Sequence, residues 1–205
     1  MPQRVDPDTR RTQVADAVID EIAAHGLQAV TLARISARTG LAIGSIRHYF
    51  GNNVREVMRF TLSVLIHRAE HRVPILSGEP AARIVDAITF TAPTSEQEHR
   101  ENIALVEYRV MGRADTEMGA EIAASSTAAS TAIESLLRAA LSDRAIDEQA
   151  LQREALAIIA LVEGFSLSSA LASAPLRAAD VRAVAEATVQ RIRDAYPPLP
   201  KEHGI

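Results

Sequence analysis

The 205-residue sequence contains no cysteine and no tryptophan, and only 3% of its residues are aromatic. Without cysteine, disulfides, thiol nucleophiles and cysteine-ligated zinc sites are excluded. The scarcity of aromatic residues also disfavours a large aromatic cage for drug-like ligands. The longest apolar run, residues 155–162, is too short to span a bilayer. The first residues carry Asp6 and Asp8 and lack the apolar segment of a secretory signal. We therefore expect a soluble, cytoplasmic protein with no membrane partner.

Motifs of catalysis are missing as well. The sequence has no GxSxG elbow, no glycine-rich phosphate loop before a helix and no HExxH pair, and its carboxylates are scattered. His67 and His71 have the four-residue spacing of a metal pair, but no third ligand accompanies them. Cationic residues near a helix C-terminus are favourable without metal. We expect no catalytic residues, no metal site and no cofactor.

The two parts of the chain differ in charge, although the net charge is only −4. Residues 1–72 contain 10 arginines against seven acidic residues, together with four of the six histidines. Residues 73–205 contain 12 basic and 19 acidic residues. This asymmetry indicates an anion-facing N-terminal part on an acidic body. A DNA-packaging protein would need far more lysine and arginine.

Apolar residues recur at helical spacing, and alternating strand patterns are absent from the sequence, so we predict an all-α fold. Helix-capping residues, glycines and prolines set the expected ends. The predicted helices run from about Val14 to Gly26, over Leu32–Thr39 and Ile43–Phe50, from Asn52 or Asn53 to about Arg72, over Ala81–Thr91, from Ser95 to about Arg113, and over Thr116–Leu141, Asp147–Ser173 and Ala178–Tyr196. Helices are short before Pro74 and long after it, which predicts a boundary there. On this pattern, residues 1–52 form a three-helix unit, 53–74 a connecting helix and 75–205 a larger helical region.

The second and third helices are joined by only three residues, of which the first, Gly40, permits the positive φ of a tight turn. Ile35, Leu41 and Ile46 are expected to face inward, and this leaves the set Gly44, Ser45, Arg47, His48 and Tyr49 on outer or flanking positions. Such a helix-turn-helix offers its second helix to the major groove of DNA. Arginine and histidine can donate to phosphates or guanine, and a tyrosine hydroxyl can bond a phosphate. A solvated helix face stays the alternative for Arg47 and His48, and core packing beside Phe50 is the alternative for Tyr49.

Residues 14–65 resemble the N-terminal DNA-binding domain of the TetR family of transcriptional repressors. The matching features are an opening amphipathic helix, Gly26, Thr31, Ile35, Gly40-Leu41, the string "GSIRHYF" and a helix that begins near Asn53. The resemblance implies a homodimeric repressor that binds a palindromic operator in double-stranded DNA and holds an unidentified small-molecule inducer in each C-terminal domain. On this resemblance, residues 1–52 would be the DNA-binding domain, 53–74 the connecting helix and 75–205 the ligand-binding and dimerisation domain. The alternative is an all-helical small-molecule-binding protein or enzyme that binds no operator.

The resemblance also implies roles for individual positions. Thr31 would cap the second helix and touch a phosphate, residues 43–49 would form the recognition helix, and the start of the fourth helix would contact the DNA backbone. The candidate DNA-binding residues are Arg10, Arg11, Thr31, Ile43, Gly44, Ser45, Arg47, His48, Tyr49 and Asn53. For the two N-terminal arginines, an arm near the minor groove or phosphates and simple solvation stay open.

Three residues depart from the usual pattern of the family. Ser36 replaces an alanine against the turn, Arg47 replaces the more usual tyrosine, and Asn53 replaces a lysine. Asparagine can keep the helix cap at that position but not the charge, so the phosphate contact there is in question.

The C-terminal part carries apolar surface and few specific signals. Residues 155–172 are apolar on nearly every side, and Val181, Val184, Thr188, Ile192 and Tyr196 form a stripe on the last helix. We predict homodimerisation through the last two helices, residues 147–173 and 178–196; a large monomeric core is the alternative. The weak candidates for an inducer pocket are Phe90, Tyr108, Arg109, Met111, Met118, Val162, Glu163 and Phe165, and residues of each of these kinds are more often ordinary core or surface than ligand contacts.

Overall fold

A computed structural model describes residues 6–72, 78–171 and 176–200. Within them, the chain forms nine α-helices and one short 3-10 turn, and its only β-type pairing is an isolated bridge between Arg144 and Pro198. The helices are α1 Pro7–His25, α2 Leu32–Thr39, α3 Ile43–Phe50, α4 Val54–Arg72, α5 Pro80–Thr89, α6 Glu96–Met111, α7 Thr116–Ala140, α8 Glu148–Leu171 and α9 Ala178–Ala195. The predicted all-α class is confirmed.

Local sequence signals set most of the helix ends. The bounds of α2 and α3 are those predicted, and the other ends lie within a few residues of the prediction apart from the start of α1. Helix α1 begins at Pro7 rather than near Val14, because Asp6 accepts a hydrogen bond from the backbone of Thr9 and caps the helix. The 3-10 turn Leu27–Ala29 was not predicted. The predicted boundary at Pro74 and the stop at Ser173 and Pro175 lie outside the described residues.

The chain divides into two compact units, and the first comprises Met1–His71 and Ser95–Ile122. Its core joins buried residues of α1 to α4 with residues of α6 and the start of α7. The buried stripe of α1 includes Val14, Val18 and Ile22, each no more than 1% exposed. Burial of this apolar surface is the main force that holds α1 against α2, α3 and α6.

The second unit comprises Arg72–Thr94 and Ala123–Ile205. Its core is made by α5, the end of α7, α8 and α9. Helix α5 packs against α8 and α9, and Arg182 of α9 donates to Asp86 of α5 at 2.6 Å. This packing holds α8 and α9 side by side as part of one body.

The compact units do not follow the predicted division at residue 75. Helix α6 packs on α1, where Arg100 Nε lies 2.9 Å from Asp20 Oδ1, and Glu107 accepts a hydrogen bond from the backbone of Leu27. A segment assigned by sequence to the C-terminal part is therefore folded together with the N-terminal helices. The assignment of separate functions to residues 1–52, 53–74 and 75–205 stays a prediction.

Candidate nucleic-acid interface

The turn between α2 and α3 is held by local hydrogen bonds. Thr31 accepts the backbone N–H of Arg34 at 3.2 Å and caps α2, and Gly40 ends the helix with φ +72°. Ser36 Oγ donates to the carbonyl of Leu41 at 2.6 Å. The departure from alanine at position 36 therefore adds a hydrogen bond across the turn, a contact that the sequence did not predict.

Helix α3 is buried on one face and open on the other. Ile46 is fully buried and Phe50 is 6% exposed. Because these two residues face the core, the opposite side of the helix is presented outward: Gly44, Arg47 and His48 are exposed, and Ile43, Ser45 and Tyr49 are half-buried. The arrangement predicted from the sequence is thus the one observed, with Tyr49 packed partly against the core.

The basic residues of α3 differ from those of α2 in their partners. Among the described residues, Arg47 and His48 have no carboxylate within ion-pair distance, and the His48 ring lies edge-on to the Tyr49 ring, with 5.5 Å between centroids. Arg34 and Arg38 of α2, by contrast, both donate to Glu21. Arg47 of α3 is therefore free to meet an external anion, whereas the arginines of α2 are engaged within the protein.

Glu21 is a buried carboxylate in the middle of the first unit, 3% exposed. Its oxygens accept from Arg34 and Arg38, and His25 Nδ1 lies 3.0 Å away. Burial raises the pKa of Glu21, but the hydrogen bonds from Arg38 and Arg34 outweigh it, so the pKa lies below its ordinary value. The ionised carboxylate therefore ties α2 to α1.

Sequence reasoning missed Glu21, although two signals were available. It stands three residues after Val18, on the apolar stripe of α1, where an unpaired carboxylate would be costly. Arg34 and Arg38 are four apart on the next helix and so share one face. Together these positions indicate a buried acid with two arginine partners.

Asn53 stands exposed just before α4. Its Oδ1 accepts the backbone N–H of Arg55 at 2.9 Å, so the asparagine serves as a cap for this helix. A phosphate contact by Asn53 stays a prediction.

Arg10 and Arg11 lie inside α1 rather than on an extended arm, and their contact with DNA stays a prediction. Arg10 donates to Gln13 at 2.9 Å. The Arg11 guanidinium lies 5.4 Å above the Phe50 ring and 4.9 Å above the Phe60 ring. This cation–π stacking ties α1 to both helices that flank the Gly51 turn, the end of α3 and the second turn of α4.

The candidate ligand residues fall into both units. Tyr108 and Met118 are core residues of the first unit, and the Tyr108 hydroxyl donates to the carbonyl of Met58 at 2.9 Å. Burial raises the pKa of Tyr108. Met111 packs against the same core, and Arg109 is half-buried. In the second unit, Phe90 follows α5, Val162 and Phe165 are partly buried, and Glu163 is exposed.

Two clefts of the first unit have no candidate ligand residue in their lining. One, of about 530 Å³, is lined by Thr12, Ser63, Val64, His67 and Arg68. The other, of about 340 Å³, is lined by Arg11, Tyr49, Phe50, Glu56, Arg59, Phe60, Ser63 and Glu121. The ligand-binding assignments therefore stay predictions.

Comparison with known proteins agrees with this geometry. Residues 80–194, more than half of the chain, match the family model of the BetI-type transcriptional repressor, C-terminal. The HTH-type transcriptional regulator PksA of Bacillus subtilis (strain 168) is 26% identical over 104 residues, 49% of this chain and 50% of PksA. The HTH-type transcriptional regulator BetI of Vibrio atlanticus (strain LGP32) is 32% identical over 91 residues, 43% of this chain and 46% of BetI. The chain thus spans about half the length of the curated relatives it matches.

The fold has close counterparts among solved structures. A transcriptional regulator from Rhodococcus sp. Rha1 superposes with a TM-score of 0.78 at 19% identity, over 93% of this chain and 99% of the other. The matched family and both relatives are transcriptional regulators rather than enzymes. The resemblance found in the sequence is confirmed, and the protein belongs to the TetR family of transcriptional regulators, with a C-terminal region of the BetI type.

Proposed function

We propose that the protein is a cytoplasmic repressor that binds a palindromic operator as a homodimer and is released by a small-molecule ligand. The observation that carries the proposal is the orientation of α3. Ile46 and Phe50 are buried, whereas Gly44, Arg47 and His48 are exposed. A helix with this distribution can enter the major groove with small residues near the DNA and cations that donate to phosphates or guanine.

One recognition helix of eight residues has too little contact area to select a long site. Two copies related by a two-fold axis read two half-sites about 34–36 Å apart in successive major grooves. A homodimer therefore fits both the short α3 and a palindromic operator.

The exposed apolar surface of α8 supports dimerisation through the last two helices. Leu156, Leu167 and Leu171 are 66%, 48% and 75% exposed. Small residues, Ala157, Ala160 and Gly164, are exposed beside them and permit close helix approach. Val184 adds an exposed apolar side chain on α9, at 44%. Apolar surface of this kind on a soluble protein is typical of an interface.

A membrane is the other environment that such a helix would suit. By length and composition, α8 is apolar enough to cross a bilayer. However, Ala155 and Ile158 on its opposite face are at most 4% exposed and belong to the core of the second unit. A helix that is packed on one face and apolar on the other favours a second copy of the chain.

Release by a ligand is proposed as a population shift. A small molecule that binds better to a conformation with wrongly spaced recognition helices lowers operator affinity by its differential affinity for the two states. Helix α4 follows α3 after three residues, so a displacement of α4 moves α3. Phe90, Tyr108, Arg109, Met111, Met118, Val162, Glu163 and Phe165 stay the candidates for ligand contact.

Selection of genomic DNA fragments by the purified protein tests the proposal. We expect enrichment of a palindromic sequence, and binding that weakens steeply as salt rises because phosphate contacts release counterions. The neighbouring genes would then suggest the ligand. Absence of any enriched sequence would contradict operator binding and favour the alternative, a helical ligand-binding protein without an operator.

A further inference from the structure

An ion pair links the first turn of α4 to the elbow between α6 and α7. Arg55 Nη2 lies 2.8 Å from both carboxylate oxygens of Asp115. The Asp115 side chain is 14% exposed and that of Arg55 45%. Asp115 Oδ1 also accepts the backbone N–H groups of Glu117 at 3.1 Å and Met118 at 3.2 Å. The carboxylate that Arg55 meets is therefore fixed as the cap of α7.

The elbow itself is closely packed. A Cβ atom on Gly119 would lie 2.5 Å from the carbonyl oxygen of Gly112, and one on Gly112 would lie 2.9 Å from Ile122 Cδ1. The backbone N–H of Gly119 also donates to the carbonyl of Asp115 at 2.8 Å. The backbone contact requires glycine at position 119, so the end of α6 and the start of α7 pack directly against each other.

A second contact lies one turn further along α4. Arg59 Nη1 is 3.4 Å from Glu117, and Arg59 Nη2 is 3.7 Å from Glu121. Two consecutive turns of α4 thus present arginines to carboxylates of α7. In each pair the cation is on α4, and the acid is on α7 or caps its start.

The contact is significant because its two partners belong to different regions of the sequence. Asp115 belongs to the region that matches the BetI-type C-terminal model, residues 80–194, yet it folds within the first unit. On the other side, Arg55 is five residues after Phe50, the last residue of α3, and the Gly51 turn with φ +76° is all that separates the two helices. The pair joins the C-terminal region to the base of the recognition helix.

We propose that Arg55 and Asp115 are positioning residues, which hold the start of α4, and through it α3, in the orientation that reads DNA. This inference rests on the proposed operator binding. Hydrogen bonding to Asp115 raises the pKa of Arg55, and the same bond lowers the pKa of Asp115. Both partners are thus charged at neutral pH. A shift of the α6–α7 elbow would reach α3 through this contact.

Conservative variants separate the ion pair from the helix cap. Asp115→Asn keeps a capping side chain at the start of α7 but removes the charge that Arg55 meets. Arg55→Gln removes the cation and so abolishes its interactions with all of its acidic partners. Arg55→Lys keeps the positive charge at this position. The measurement is fluorescence anisotropy with the DNA fragment selected by the unmodified protein, alongside circular dichroism and thermal unfolding.

We expect Asp115→Asn and Arg55→Gln each to weaken binding about two- to fivefold, the effect of a partly exposed ion pair. The double variant should bind no more weakly than either single variant, because both remove the same interaction. Arg55→Lys should retain most of the affinity. The melting temperature should change little, which a purely structural role would not predict.

Glu134→Gln is the matched control. Glu134 also pairs with an arginine, Arg138, at 3.1 Å, but it lies on α7 in the second unit, outside the two helices proposed for dimerisation, and its variant should bind DNA normally. Additive losses in the double variant, or unchanged or tighter binding in both single variants, would overturn the inference. If the unmodified protein selects no fragment, the proposed function fails instead.

Discussion

Helices α3 and α8 bury the same kind of residue and expose opposite kinds. Ile46 of α3 and Ile158 of α8 are both fully buried. The exposed face of α3 carries Arg47 and His48, whereas that of α8 carries Leu156, Leu167 and Leu171. The buried face of each helix explains why it packs where it does. The exposed face indicates the partner, which is an anion for α3 and a second apolar surface for α8.

The polar supports of the two helices also differ. Behind α3 lie the Glu21 cluster and the Ser36 hydrogen bond to Leu41. Ala155 and Ile158 of α8 rest on an apolar core, and Glu154 of α8 accepts hydrogen bonds from Arg191 and Tyr196. The position of α3 should therefore depend mainly on charge and hydrogen-bond geometry, and that of α8 on buried area together with these polar contacts.

The largest effect is expected at the exposed face of α8. Leu156→Glu places a carboxylate in the proposed dimer interface. Because the two subunits are related by a two-fold axis, the interface then contains two such carboxylates. Loss of two buried leucines costs roughly 3 kcal/mol or more, which is more than about a hundredfold in the dimer Kd. Sedimentation equilibrium measures the dimer Kd, and the operator affinity should fall in parallel with dimerisation.

Val110→Glu is the matched control for this substitution. Val110 is 67% exposed on α6, close to the 66% of Leu156, but it lies in the first unit. Its variant should remain as dimeric as the unmodified protein. A Leu156→Glu variant that dimerises normally would place the interface elsewhere.

The exposed face of α3 is tested by Arg47→Ala. Removal of this cation should weaken operator binding by about 1–3 kcal/mol without a change in dimerisation. Arg177→Ala is the control, because Arg177 is 80% exposed but pairs with Asp180 in the second unit. If Arg47→Ala binds the operator as tightly as Arg177→Ala does, Arg47 belongs to a merely solvated face.

The charged support behind α3 is tested by Glu21→Gln. The variant leaves two arginines with a weaker partner, and since both are partly exposed we expect a loss of about 1–2 kcal/mol in the free energy of unfolding at pH 7. Urea unfolding measures this loss of stability. Helix α8 should be unaffected, so the dimer Kd should not change.

The pH dependence of this loss has a definite sign. The pKa of Glu21 is lower in the folded protein than its ordinary value of 4.5. Its contribution is therefore fully present above about pH 4.5 and is lost as the pH falls through the lower, folded value. The difference between Glu21→Gln and the unmodified protein should stay constant above about pH 4.5 and narrow as the pH falls below it. A difference independent of pH would mean that Glu21 acts through packing alone.

The contrast between local and distant contacts explains what the sequence could predict. The ends of α2 and α3 follow from Thr31 and Gly40, which act on their own neighbours, and the exposed face of α3 follows from its helical period. Arg55 and Asp115 are 60 positions apart, and Arg11 reaches Phe60 from another helix. No local pattern encodes such pairs, because they depend on how the helices pack. The same reason hid the inclusion of α6 in the first unit.

The smallest effect is expected from Ser36→Ala, which removes the hydrogen bond to the carbonyl of Leu41. Loss of one such bond costs about 0.5–1.5 kcal/mol, but alanine favours the helix by up to about 0.5 kcal/mol. Ser135→Ala is the control for that gain, since the Ser135 hydroxyl bonds only the Thr131 carbonyl of its own helix. We expect Ser36→Ala to be less stable than Ser135→Ala by about 1 kcal/mol in urea unfolding. Equal stabilities would mean that the turn before α3 is held by Gly40 and apolar packing, with no contribution from the serine.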